Sequence, residues 1–367
     1  MPAPAGWRVL SVMKRLALTI LCTLVTAVIV APSRLVACTT FCLRRGPSMI
    51  LGKNYDWHLG MGFVIRNGRG VAKQSDAGPG STPASWTSRF GSLTFNQYGR
   101  EFPSGGMNEA GLAVELMWLE ETRYPAPDAR PALGCLQWIQ YQLDTAATVE
   151  EVLASDVKVR IDARAPLHFL VADRSGDAAT VEFLDGRLKV HRGPALPVAV
   201  LTNNGYGASV DFLERADAAG DPAKGPGSLE RFARTARRVR AFDAPPETDP
   251  VAFAFETLRG AAQPQSTQWS IVYELDRLRV HFRTRTDPAI RTLAMAELNL
   301  DCHFPVMGVD LEAAPPPDGR VVPRPLAAAA NENLVRRAFA GTPGLVGADE
   351  EGIRRQIAYP ETTVCRE

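Results

Sequence analysis

The chain has 367 residues, 46% of them hydrophobic, with 41 basic and 40 acidic side chains. So even a balance, with no dense run of Lys and Arg, excludes a nucleic-acid or other polyanion binder. The 330 residues from Cys38 onward are enough for one large core or two smaller ones.

In chain order the first element, residues 1–37, reads as a secretory signal peptide. It has a basic start (Arg8, Lys14, Arg15), an apolar run from Leu16 to Ala31 and the small Ala37 before Cys38. The run is 16 residues long, shorter than the roughly 20 that cross a bilayer. A retained anchor helix is the alternative, and Met13 offers a more compact start. The four basic residues of this segment (Arg8, Lys14, Arg15, Arg34) leave 37 basic against 40 acidic residues in the remainder. The expected location is periplasmic or secreted, with no membrane attachment once the signal is removed. The remainder holds five cysteines, Cys38, Cys42, Cys135, Cys302 and Cys365. An odd count in an exported chain predicts one free thiol and up to two disulfides. Cys38 is expected free, and a Cys302–Cys365 bridge would pin the tail.

Cys38 to Leu43 alternates and predicts a strand; Met49 to Trp57 predicts a second after a Gly46-Pro47 turn. Ala72 to Ser92 reads mostly as loop. Gly106 to Leu119 reads as a turn at Asn108 to Gly111 opening a strand. Leu133 to Leu143 and Thr148 to Ala154 have helical spacing, with a capping box at Thr148 and Glu151. Strands follow at His168 to Ala172, Thr180 to Phe183 and Val198 to Thr202, with turn signals at Asp173 to Gly176 and Asp185-Gly186. Leu229 to Phe242 and Val251 to Leu258 predict helices; Arg231, Arg234, Arg237, Arg238 and Arg240 on the first would mostly make a solvated basic face. Thr267 to Glu274 and Arg279 to Arg285 predict a hairpin. Beyond Gly308 the chain is rich in Pro and Ala (Pro315, Pro316, Pro317, Pro323, Pro325) and reads as a linker before a short helix at Asn331 to Phe339. The expected domains are 38–310 as the catalytic body and 311–367 as linker and tail. Grouped strands and grouped helices predict an α+β layered fold.

A cysteine at a new N-terminus carries a thiol and an α-amine on one residue, a nucleophile with its own base. Six stretches accompany it: Cys38-Thr39-Thr40, Gly52 to Trp57, Gly106 to Leu112, Leu201 to Asn204, Glu230 to Phe232 and Trp269 to Tyr273. In that order they resemble the choloylglycine hydrolase family, which contains penicillin V acylases and conjugated bile salt hydrolases, over roughly Cys38 to Thr286. The resemblance implies an N-terminal nucleophile hydrolase with a four-layer αββα sandwich, cleaving linear amides without a cofactor, and a homotetramer. It implies Cys38 as nucleophile, Asp56 orienting its amine, Asn203 as oxyanion donor and Arg231 beside the thiol. On their residues alone Asp56 is equally a surface turn acid, and Asn203-Asn204-Gly205 a hairpin turn.

Two positions depart from the family. Lys53 stands where the family usually has Arg, keeping the charge but losing the planar fork. Trp118 stands near a position where many bile salt hydrolases have an oxyanion-hole Asn. Trp57 and Trp118, with Met61 and Phe63, are expected to face an apolar or aromatic acyl group. The expected substrate is a small-molecule N-acyl amide: penicillin V, a long-chain N-acyl amide or an N-acyl homoserine lactone, with bile salts as the alternative. A different reading takes Leu35-Val36-Ala37-Cys38 as a lipoprotein box. Lipidation would consume the thiol and leave a tethered binding module. A papain-like signature, a His-Glu-x-x-His zinc motif and a dinucleotide fingerprint are all missing from the sequence.

Overall fold

The computed structural model describes residues 38–46, 48–78, 80–243, 248–314, 321–342 and 349–366. The signal segment 1–37 and the prolines 315–317 of the expected linker lie outside the described residues. Two antiparallel sheets carry the architecture. The first has six strands in the order β14 (Val200–Leu201), β1 (Thr39–Arg45), β2 (Ser48–Asp56), β15 (Thr267–Glu274), β16 (Arg279–Thr284) and β17 (Arg291–Ala294). The second has nine: β13 (Arg187–Arg192), β12 (Ala178–Leu184), β11 (Leu167–Asp173), β8 (Leu112–Trp118), β7 (Gly105–Asn108), β6 (Ser92–Asn96), β3 (Phe63–Asn67), β18 (Met307–Asp310) and β19 (Arg324–Pro325). A three-stranded sheet of β20 (Val364–Cys365), β4 (Val71–Gln74) and β5 (Ser85–Thr87) and a pair of β9 (Ala132–Leu133) and β10 (Arg160–Ile161) complete it.

Strand alternation assigns the layers. In β8, Ala113 and Met117 join the core between the sheets, whereas Leu112, Val114 and Leu116 face outward. Outward they meet α1 (Cys135–Thr145) and α2 (Val149–Leu153). Helices α3 (Tyr206–Ala218), α4 (Ser228–Arg240) and α5 (Pro250–Ala261) flank the first sheet. Between the sheets Phe95 of β6 meets Trp269, Tyr273 and Phe282 of β15 and β16, with ring centroids 5.7 to 6.2 Å apart. The result is the expected αββα sandwich.

Local chemistry accounts for the hairpins. Gly46 at φ 55° lies at the turn between β1 and β2; Pro47 is outside the described residues. Gly52 faces Phe41 in the register, and a Cβ there would meet the Phe41 ring at 2.5 Å. Thr148 Oγ1 accepts from the Glu151 amide at 3.2 Å, half of the expected capping box; Glu151 reaches back instead to the Ala147 amide at 2.7 Å.

Three regions depart from expectation. Ala72 to Ser92 contains β4 and β5, short polar strands whose alternation the Gly, Ser and Pro content hides. Helix α3 follows Asn203-Asn204-Gly205, where only a turn was expected. Beyond 310 the helix expected at Asn331 to Phe339 is present as α6 (Ala328–Gly341), which buries Leu334, Val335 and Ala338, but β19 and α7 (Glu350–Ala358) were not expected. The tail is pinned by the expected Cys302–Cys365 disulfide, with Cα atoms 5.5 Å apart. Cys38, Cys42 and Cys135 are free and buried.

Candidate active site

Cys38 immediately precedes β1 and Asp56 closes β2. Because Thr39 pairs with Asn54, the antiparallel register sets Cys38 opposite Tyr55, next to Asp56. The thiol lies 3.8 Å from the Asp56 carbonyl oxygen, to which it donates. Both residues are buried, at 6% and 1% exposure. The Asp56 carboxylate accepts from Thr267 Oγ1 and, at 3.2 Å, from Gln263 Nε2. Burial pushes its pKa up to about 6, against the lowering influence of Thr267, Arg231, Gln263 and Lys53.

Arg231 enters from α4. It does not join a solvated basic face; it is 1% exposed and turned inward. Its Nη1 donates to the Cys38 carbonyl at 2.9 Å and to Thr39 Oγ1 at 2.7 Å, and its Nη2 to Asn203 Oδ1 at 3.4 Å. Asn203 follows β14. Its backbone amide donates to Ser228 Oγ at 2.8 Å and its side-chain Nδ2 to the Trp118 carbonyl at 2.8 Å. Its second side-chain N–H has no protein partner among the described residues.

Lys53 is not at the surface of the site. It is fully buried between the sheets, where Nζ donates to the Leu116 carbonyl and approaches Met117 Sδ at 3.4 Å and Glu115 Oε2 at 3.6 Å. Its charge reaches the thiol from below. Burial raises the Cys38 pKa most strongly; Lys53, the Asp56 carbonyl and Arg231 lower it, while the Asp56 carboxylate raises it. The net upward shift leaves the resting sulfur a protonated thiol.

Trp57 and Trp118 meet, with ring centroids 6.5 Å apart. Trp118 also borders a cavity of about 660 Å³ that Arg123, Tyr124 and Arg160 line. Met61 and Phe63 do not join the Trp pair; they pack in a separate cluster with Leu334 and Ala338 of α6.

Sequence reading missed Glu115 and Tyr273. Glu115 is 1% exposed on the inner face of β8, and Tyr273 donates to its Oε1 at 2.6 Å. Its signal is a lone acid at an inward position of an apolar strand, facing Gly105, where a Cβ would meet the carboxylate at 2.3 Å.

Among proteins of known identity, the chain is 28% identical over 267 residues to the penicillin V acylase of Pectobacterium atrosepticum, covering 60% of this chain and 70% of the relative. The structure of penicillin V acylase from Agrobacterium tumefaciens superposes with a TM-score of 0.66 at 29% identity, over 75% of this chain and 92% of that one. The R18L variant of conjugated bile acid hydrolase from Clostridium perfringens shares the fold, with a TM-score of 0.63 at 18% identity over 74% of this chain and 96% of that one. The model of the linear amide C–N hydrolases, choloylglycine hydrolase family, matches residues 41–235, more than half of the sequence. The chain belongs to that family and is a linear amide C–N hydrolase of the penicillin V acylase and bile salt hydrolase type.

Proposed function

We propose that the chain is exported, cut before Cys38, and cleaves N-acyl amides with apolar or aromatic acyl groups through a Cys38 thioester. The observation that carries this reading is the convergence of buried Cys38, Asp56 and Arg231 with half-buried Asn203 from four separate parts of the chain. Because the resting sulfur is a thiol, a base must take its proton, and the α-amine of a processed Cys38 is on the same residue. The sulfur attacks the amide carbonyl, and the free N–H of Asn203 faces the oxyanion. Collapse breaks the C–N bond, and the ammonium returns the proton to the departing amine. Water then attacks the thioester, giving one proton to the amine and releasing the acid; that proton returns to sulfur. The Trp57–Trp118 pair favours a phenoxyacyl or long acyl chain over the bile-salt alternative.

The test is the intact mass and N-terminal sequence of the exported protein, followed by hydrolysis of penicillin V and long-chain N-acyl amides. An unmodified N-terminal Cys38 and turnover abolished by Cys38→Ala, with an unchanged circular dichroism spectrum, are expected. A lipid adduct on Cys38, or undiminished turnover by Cys38→Ala, would refute the reading.

A further inference from the structure

Behind Asn203, on the inner face of the second sheet, lie two residues the proposed reaction does not use. His168 and Glu182 are both fully buried, on adjacent strands β11 and β12. His168 Nε2 lies 2.7 Å from the Thr202 carbonyl, and Nδ1 lies 3.1 Å from Glu182 Oε1. That same carboxylate oxygen accepts the Tyr206 backbone amide at 2.9 Å. Thr202 and Tyr206 are the two ends of the turn Asn203-Asn204-Gly205. The pair therefore holds the turn by a carbonyl at its entrance and an amide at its exit.

The protonation follows from the partners. A carbonyl can only accept, so Nε2 carries a hydrogen. Glu182 Oε1 already accepts from Tyr206, and Nδ1 also faces it as a donor. Both ring nitrogens of His168 therefore face acceptors. Burial disfavours the ionised Glu182, but the hydrogen bond and charge of His168, the Tyr206 amide and His191 outweigh it and hold the carboxyl below its ordinary range. Nearby, His191 Nδ1 lies 3.6 Å from Glu182 Oε2 and 3.0 Å from Thr180 Oγ1.

A buried His–Glu pair is a poor way to gain stability, since apolar residues of similar volume commonly do as well. What it supplies here is two directional contacts to backbone atoms on either side of one functional residue. We propose that His168 and Glu182 are positioning residues for Asn203, setting the turn so that its amide points to the oxyanion. This rests on the oxyanion role given to Asn203 above.

The experiment is a double-mutant cycle with His168→Phe and Asn203→Ala, read with the best amide substrate. His168→Phe should lower kcat by roughly 10- to 100-fold with KM within about twofold, less than the roughly 10²- to 10³-fold loss on removing an oxyanion donor outright. In the Asn203→Ala background, the same change should have almost no further effect on kcat. Binding of an aldehyde analogue of the acyl group, whose hemithioacetal oxygen occupies the oxyanion position, should weaken in step with kcat. Alkylation of Cys38 by iodoacetamide should keep its wild-type rate. Full additivity of the two substitutions, or a matching loss of alkylation rate, would overturn the proposal, because His168 would then support the whole site. If Asn203→Ala alone leaves kcat intact, the oxyanion assignment itself falls, a result read separately from the cycle. Should His168→Phe not fold, Glu182→Gln keeps an acceptor for Tyr206 and removes the charge; the same pattern with a smaller loss is expected, and an unchanged kcat overturns the proposal.

Discussion

Glu115 and Lys53 set two effects against each other, and Glu115→Gln decides between them. The carboxylate is buried between the sheets, with Lys53 Nζ 3.6 Å away and the Tyr273 hydroxyl at 2.6 Å. Burial nonetheless prevails over Lys53 and Tyr273 and raises the pKa from 4.5 to about 7. Between those values the folded chain keeps a proton that the unfolded chain has released. The stabilisation from this group is therefore complete below pH 4.5 and is lost as pH rises through about 7. At about 1.4 kcal/mol per pKa unit, the loss is roughly 3 kcal/mol. Gln never ionises, and its amide oxygen can still accept from Tyr273. The stability of Glu115→Gln relative to wild type should then rise by roughly 3 kcal/mol between pH 4.5 and pH 8. Urea unfolding of both proteins at the two pH values measures it, and Asp56, which titrates in both, cancels in the difference. A flat difference would refute the argument. A falling one would mean that the pair with Lys53 outweighs desolvation, and that Gln costs about 3–5 kcal/mol at pH 8 by stranding a buried ammonium.

Arg231→Lys keeps a charge but loses the fork that spans the Cys38 carbonyl, Thr39 and Asn203. Losing charged hydrogen bonds of about 1.5–3 kcal/mol should lower kcat/KM on the order of 10²-fold; near-wild-type kinetics would show that charge alone suffices. The Cys302–Cys365 bridge closes a separation of 63 residues, for which chain entropy gives about 4 kcal/mol. Cys365→Ser should shift the urea midpoint downward with kcat unchanged, and an unmoved midpoint would show that α6 and α7 hold the tail without it.

The hairpin of β1 and β2 was legible because it is local: alternation, a Gly turn and an apolar run fix its register within twenty residues. That register brings Asp56 to Cys38. The layer order was legible only through family resemblance, since β8 and β15 are far apart in sequence and nothing in their periodicity states that they face each other. Lys53 shows the limit. The sequence showed only that Lys53 keeps the charge of the family's Arg without its fork, and it is the facing of the two sheets that buries it against Leu116 and Glu115. Arg231 is similar: among five arginines on one helix, helical spacing alone does not tell which one turns inward. Met61 and Phe63 were expected to face the acyl group with the two tryptophans, but they pack with Leu334 and Ala338 of α6, a helix more than 260 residues further along the chain.

Under the proposed mechanism, charge gives a reason for placing such a site at a chain end. Burial raises both the Cys38 thiol and the Asp56 carboxyl, so with residue 37 attached the thiol keeps its proton and the carboxyl, at about 6, loses its own only on approaching neutral pH. Arg231 and Lys53 pull both groups the other way without overcoming burial. Under the proposed mechanism, the cut before Cys38 would create an ammonium beside both groups. It would lower the carboxyl and the thiol together, and its neutral form would be the base the thiol needs. One cleavage would thus supply the missing charge and the missing base at the same atom. A lysine side chain brought in from elsewhere would need its own four-carbon stem packed into the space between β1 and β2. The backbone nitrogen of Cys38, the residue just before β1, is held there by the strand that follows it.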